Sequence, residues 1–238
     1  MTETIPLSPL IATPPLLHSE CTQEHETHQE VSPPKPIHIP PLFKSSSNKI
    51  FKAQEMTKET TSSEFILSAY QSILETDIND LLRIGSEIAL PLFSEETLKD
   101  LCQETIKRLS SQPMVINLES PICVVGDIHG SIHDLLRIFI LNGNPSSTHY
   151  LFLGDYVDRG QFSIEVISIL FSMYCQGAHI TLLRGNHEHH EICANYGFKA
   201  ELESVYQSTN LFDSFTEAFE YLPLVAIINQ SIFCVHGG

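Results

Sequence analysis

Four short clusters of polar residues, each beside glycine, carry the groups in this sequence best suited to chemistry. In chain order they are Gly126-Asp127-Ile128-His129-Gly130, Gly154-Asp155-Tyr156-Val157-Asp158-Arg159-Gly160, Arg184-Gly185-Asn186-His187-Glu188 and Val235-His236-Gly237-Gly238. Each follows a short apolar run, and the glycines let the backbone turn sharply and a ligand approach closely. Carboxylate oxygens, imidazole nitrogens and an amide oxygen brought to one point suit divalent transition ions, not a soft thiolate site. The pattern points to a binuclear hydrolytic centre. Taken singly, each cluster also has a plainer reading. Asp127 and His129 could be a turn residue and a solvated histidine, Asp155 to Gly160 a helix-capping loop with a surface ion pair, His187 with His189 and His190 an exposed tract, and His236 a loop residue. Four in succession, each at a predicted strand end, argue against coincidence.

The elements that must position these clusters follow from periodicity. After Pro113, short apolar runs alternate with amphipathic stretches: strand 121–126, helix 131–141, strand 149–153, helix 161–175, strand 179–184. This β-α-β-α-β order predicts parallel strands joined by right-handed crossovers, with functional groups at their carboxyl ends. All four clusters are expected on one rim of the sheet. Helices over 188–195, 199–208 and 211–221 come next, then strands 223–229 and 231–235 joined by a hairpin turn at Asn229-Gln230. Upstream, Thr61 and Glu64 resemble a capping box, and Ile66, Tyr70, Ile73, Leu74, Ile78, Leu81 and Leu82 recur at helical spacing, which predicts one helix over 64–84. Ser94, followed by Glu95 and Glu96, caps a second helix over 95–110.

Composition narrows the function classes. The chain carries 29 acidic against 13 basic residues, a formal net charge of −16. Such a surface repels nucleic-acid backbones, so no nucleic-acid partner is expected. The six cysteines are widely spaced, without a C-x-x-C pair or a secretory segment, and read as reduced thiols of a cytoplasmic or nuclear protein. Nowhere do 18 apolar residues follow one another, so no membrane association is expected either. Residues 1–60 hold most of the prolines and the run Ser45-Ser46-Ser47, a Pro/Ser/Thr-rich extension that cannot offset its ordering entropy and is expected to be disordered.

The motifs GDxHG, GDxVDRG and GNHE, all intact and in this order, resemble those of the PPP family of metal-dependent serine/threonine protein phosphatases. Tyr196-Gly197-Phe198, Leu222-Pro223 and Phe233-Cys234-Val235-His236-Gly237-Gly238 extend the similarity, which looks closer to the type-1 and type-2A branches than to the calcium-regulated one. The resemblance implies an α/β fold, a metallophosphoesterase-like β-sandwich of mixed sheets flanked by helices. It implies hydrolysis of phosphoserine and phosphothreonine in proteins by a metal-activated water, with two divalent ions (Mn, Fe or Zn) as cofactors. Asp127, His129 and Asp155 would hold one ion; Asp155, Asn186 and His236 the other. Arg159, with Asn186, would bind the substrate phosphate, and His187 oriented by Asp158 would protonate the leaving alkoxide. Phosphoprotein substrates and regulatory subunits are the implied partners. The family's domain continues past HGG, so residues 61–238 are expected to be the N-terminal part of a catalytic domain, incomplete at its C-terminus, with apolar faces exposed. Two other readings stay open: a metallophosphoesterase acting on nucleotides or small phosphate esters, and a truncated homologue that binds partners without turnover or is a fragment of a longer active enzyme. The C-x5-R spacing of Cys102 and Arg108 lies on a predicted helix without glycine and does not suit a cysteine-dependent phosphatase.

Overall fold

Tyr150-Leu151-Phe152 shows how the sequence builds the sheet. Successive side chains of a strand point to opposite faces. Tyr150 and Phe152 enter the main core, beneath the helices, while Leu151 enters a second cluster with Leu183, Ala226, Ile228 and Cys234. A strand buried on both faces needs an unbroken apolar run, and each fully buried side chain of this size contributes roughly 1.5–3 kcal/mol.

The computed structural model describes residues 48–53, 60–206 and 210–237, all within one compact unit. In chain order the elements are β1 (Ile50–Lys52), α1 (Ser62–Leu74), a 3-10 helix (Ile78–Arg83), β2 (Leu90–Leu92), α2 (Glu95–Leu109), β3 (Val115–Leu118), β4 (Cys123–Val125), α3 (Ile132–Asn142), β5 (Tyr150–Phe152), α4 (Ser163–Cys175), β6 (Ile180–Leu182), α5 (His190–Tyr196), α6 (Phe198–Tyr206), α7 (Asn210–Glu220), β7 (Val225–Ile228) and β8 (Ile232–Val235). Strands β4, β5 and β6 form the expected parallel sheet. A second, mixed sheet has the order β3-β7-β8, with β3 and β7 parallel and β7 and β8 antiparallel. The second apolar cluster lies between the two sheets, and helices cover the other face of the first.

Several expectations need correction. The helix expected over 64–84 stops at Leu74. The Asp77 carboxylate accepts from the Asn79 N–H and starts a separate 3-10 helix, which breaks the α-helical ladder. Strands β1, β2 and β3 were not anticipated. Strand β1 lies inside the extension expected to be disordered, where it pairs in parallel with β2; residues 1–47 and 54–59 of that extension are outside the described residues. The rim expectation also fails in part. Three clusters end strands of the parallel sheet, but Val235-His236 ends β8 in the mixed sheet. Face-to-face packing of the two sheets through Leu151, Leu183 and Cys234 brings it to the same place.

Helix α4 is buried almost all round, and its first N–H groups have no local cap. The Glu201 carboxylate, from α6, accepts from the Ser163 and Ile164 N–H groups at 3.1 and 3.3 Å. The hairpin turn forms as expected, with Asn229 and Gln230 both at positive φ, 49° and 55°. Glycine reaches that conformation without the steric cost of about 1–2 kcal/mol that a side chain carries, but it loses more backbone entropy on folding. Gln230→Gly should therefore raise stability by about 0.5–1 kcal/mol, read as a shift of the urea midpoint without change in slope.

Candidate metal centre

The loop after β4 carries Asp127 and His129, the loop after β5 carries Asp155, Asp158 and Arg159, the loop after β6 carries Asn186, His187 and Glu188, and β8 delivers His236. The backbone at this rim is unusual. His129, Asp155, Asp158 and Arg159 all have positive φ, between 44° and 70°, a conformation that costs non-glycine residues roughly 1–3 kcal/mol each and persists only where neighbours enforce it. Here the enforcement is visible. The Ile128 and His129 N–H groups donate to the Asp155 carbonyl at 3.0 and 2.9 Å, and Gly130 N–H donates to the Tyr156 carbonyl at 2.8 Å. Gly160 lies against the His129 carbonyl so closely that any Cβ would collide with it.

Asp155 is the centre of the arrangement. Its Oδ2 lies 3.5 Å from His129 Nε2, its Oδ1 lies 3.4 Å from His236 Nε2, and its side chain is 4% exposed. Asp127 stands on the open side, 54% exposed, with Oδ2 3.7 Å from His129 Nε2 and Oδ1 4.0 Å from His236 Nδ1. Asn186 Oδ1 is 2.9 Å from His236 Nε2. Two groups of potential ligand atoms emerge among the described residues, His129-Asp155-His187 and Asp127-Asp155-His236, and Asp155 belongs to both. All five residues expected to bind metal are thus brought together.

One histidine states its chemistry. His129 Nδ1 lies 2.9 Å from the Val157 carbonyl, which can only accept, so Nδ1 carries a proton and, in the neutral ring a metal requires, Nε2 carries the lone pair. That Nε2 is buried and has no hydrogen-bond partner, while two carboxylates face it. A buried imidazole nitrogen without a hydrogen-bond partner beside carboxylate oxygens fits a divalent cation, and the carbonyl fixing Nδ1–H is the kind of support metal-ligating histidines have.

His187 makes a different set of contacts. Its Nδ1 lies 2.7 Å from Asp158 Oδ2, and its Nε2 lies 3.2 Å from Arg159 Nη2 and 4.0 Å from Asp155 Oδ2. Burial, the largest single influence, pulls its pKa down. The Asp158 hydrogen bond and the charges of Asp155 and Asp158 together outweigh burial and leave it above the ordinary value. Asp158 is fully buried and is itself fixed by the Phe198 N–H at 2.8 Å.

Glu188 is the functional residue the sequence reading left without a role. Its buried carboxylate accepts from three backbone N–H groups, those of Asp155 at 2.7 Å, Tyr156 at 2.9 Å and Gly185 at 3.0 Å. It binds the loop after β5 to the loop after β6. Burial pushes its carboxyl up to about 7, against the downward pull of those three donors. A charged residue directly after the cluster's histidine was the available signal, since an acid at that depth must have donors waiting for it.

Residues 120–238 match the sequence family described as calcineurin-like phosphoesterase. Over 145 residues the chain is 49% identical to the serine/threonine-protein phosphatase PP2A-like PPG1 of Candida albicans, across 60% of this chain and 35% of that protein. A solved Saccharomyces cerevisiae serine/threonine phosphatase with similarity to human phosphatase PP5 superposes with a TM-score of 0.61 at 31% identity, covering 71% of this chain and 54% of that one. The chain thus spans about a third of the length of the curated relative and about half of the solved one. With three motifs intact, their side chains converging and both relatives protein phosphatases, this chain belongs to the calcineurin-like phosphoesterases and, within them, to the PPP serine/threonine phosphatase family, a membership that implies divalent metal ions at this cluster.

Proposed function

We propose that this domain hydrolyses phosphoserine and phosphothreonine in protein substrates at a centre for two divalent ions drawn from manganese, iron and zinc. The observation that carries the reading is the sharing of Asp155 between both groups of ligand atoms. By the family resemblance one ion would be held by Asp127, His129 and Asp155, the other by Asp155, Asn186 and His236; the geometric groups instead set His187 with His129 and Asp127 with His236, and only Asp155 is common to both divisions as the shared ligand. When bound, such ions supply Lewis acidity toward a phosphoryl oxygen and lower the pKa of water to about 7.

The chain's own residues do the rest. Arg159 is exposed, and its guanidinium can grip two phosphoryl oxygens in parallel, a geometry lysine cannot copy. Asn186, exposed beside His236, would help to position the phosphate. His187 holds a proton more readily than a free imidazole, because Asp158 accepts from its Nδ1; Nε2, which accepts from Arg159 here, takes up a proton once Arg159 turns to the phosphate and gives it to the departing serine or threonine oxygen. Phosphoproteins and regulatory subunits are the partners this reading implies. Five thiols left unpaired among the described residues support a cytoplasmic or nuclear setting. None of the described helices is long and apolar enough to cross a membrane.

Comparing the manganese-dependent release of phosphate from a phosphothreonine peptide with turnover of a dinucleoside polyphosphate tests the proposal. We expect the peptide to be favoured at least tenfold in kcat/KM, about 1.4 kcal/mol of transition-state discrimination. Preference for the dinucleotide would assign the site to small phosphate esters, and turnover of neither would assign the chain to binding without catalysis.

A further inference from the structure

At the amino ends of the β4-β5-β6 strands, away from the metal cluster at their carboxyl ends, lies an open groove of about 610 Å³. One wall is a single stripe of α1, where Glu64, Leu67, Leu74 and Glu75 follow helical spacing. The other wall is formed by the loops 144–146 and 177–179, tied together by a 2.8 Å bond from the His179 N–H to the Pro145 carbonyl, and by the end of α4. Leu67, Leu74, Met173 and Ala178 give it an apolar floor. Glu64 and Glu75 stand exposed at its two ends, and no lysine or arginine lines it among the described residues.

The spacing selects the occupant. Along α1, Glu64 and Glu75 are separated by about 16 Å and Leu67 and Leu74 by about 10 Å, at ~1.5 Å per residue. A polyproline-II segment rises about 3.1 Å per residue with three residues per turn, so positions i and i+3 share a face about 9 Å apart, and the residues outside them lie about 15 Å apart. Apolar side chains at i and i+3 would then sit on the two leucines, and cations at i−1 and i+4, which leave the backbone 120° to either side of that face, would reach the two glutamates through the long side chains of lysine or arginine. We propose that this groove docks an extended segment of a partner protein with the pattern Lys-Leu-x-x-Leu-Lys, arginine or another aliphatic residue serving equally. The site does not depend on the phosphatase reading, because none of its residues belongs to the metal cluster.

The test is a fluorescence-anisotropy titration of the full chain against a fluorescein-labelled peptide containing Lys-Leu-Pro-Pro-Leu-Lys. We expect saturable binding, weakened about tenfold by Glu64→Lys with Glu75→Lys and about tenfold when both peptide leucines become serine. Glu203→Lys with Glu220→Lys, exposed positions on α6 and α7, changes the net charge equally and should shift the affinity less than about twofold. Equal weakening by the two double variants would reduce the effect to overall charge, and undiminished binding of the serine peptide would remove the apolar floor from recognition. Either result, or no saturable binding, overturns the proposal. Binding that emerges only after residues 1–47 are removed would assign the groove to this chain's own tail and overturn the partner reading.

Discussion

Asp155→Asn should leave the fold intact and lower metal-dependent phosphopeptide turnover about a thousandfold, a loss of about 4 kcal/mol in transition-state stabilisation. The two oxygens of Asp155 face different histidines, at 3.5 and 3.4 Å, so its single negative charge serves both halves of the cluster. Asparagine preserves the shape and removes the charge. Its oxygen can still accept from the His187 N–H, which now donates to Oδ1 at 2.9 Å, and the β6 loop keeps its anchor. The new NH2 then takes the place of Oδ2 and points at the Nε2 of His129, whose lone pair accepts from it in the neutral ring. A hydrogen bond forms where a cation should sit, and the ligand lone pair is consumed. Elemental analysis after manganese loading should show at least one ion fewer per chain, with an unchanged far-UV circular dichroism spectrum. Equal turnover by the variant and the parent would remove the catalytic reading.

The parallel sheet was legible because β5 and β6 are buried on both faces and so appear as unbroken apolar runs, and β4, although its Val124 is exposed, is apolar throughout; each strand is followed by glycine and polar groups. The positions of Asp127, His129, Asp155 and Asn186 followed from that pattern alone. The sheet of His236 did not. A four-residue strand states its side-chain alternation but not its partners, and the pairing of β7 with β3 rests on contacts across more than a hundred residues. Strand β3 itself was hidden by exposure, since Val115 and Asn117 face outward on an element too short to show a period. Strand β2 carries Pro91, which lowers strand propensity, yet among the described residues it pairs with β1 on one side only, where a missing N–H is tolerated. The helix break at Asp77 was hidden for another reason. Apolar spacing continued straight through it, and a local side-chain bond decided against the period.

Glu188 marks the deepest limit of legibility and leads to the second large effect. A sequence shows that an acid follows His187; only the folded loops show three N–H groups turned toward it. Glu188→Ala would leave the N–H groups of Asp155, Tyr156 and Gly185 buried without an acceptor. Each unsatisfied donor costs about 1–3 kcal/mol, so the variant should lose at least about 3 kcal/mol, a large share of the 5–15 kcal/mol typical of a domain. Two terms oppose this, because removing the carboxylate relieves first its burial cost and then its repulsion with Asp155. Both fall away when the carboxyl, pushed up to about 7, takes a proton, whereas the three N–H groups at 2.7–3.0 Å need an acceptor whatever its charge, so destabilisation wins. Glu188→Gln separates the two contributions. Its amide oxygen, placed where Oε2 now accepts from Asp155 and Gly185, keeps two bonds, while its NH2 meets the Tyr156 N–H and loses the third. The glutamine variant should therefore fall by about 1–3 kcal/mol, between the parent and the alanine variant, in urea unfolding followed by circular dichroism. Alanine and glutamine variants of equal stability would show that the three N–H groups find other acceptors, and that Glu188 is not what holds the Asp155 loop in its left-handed turn.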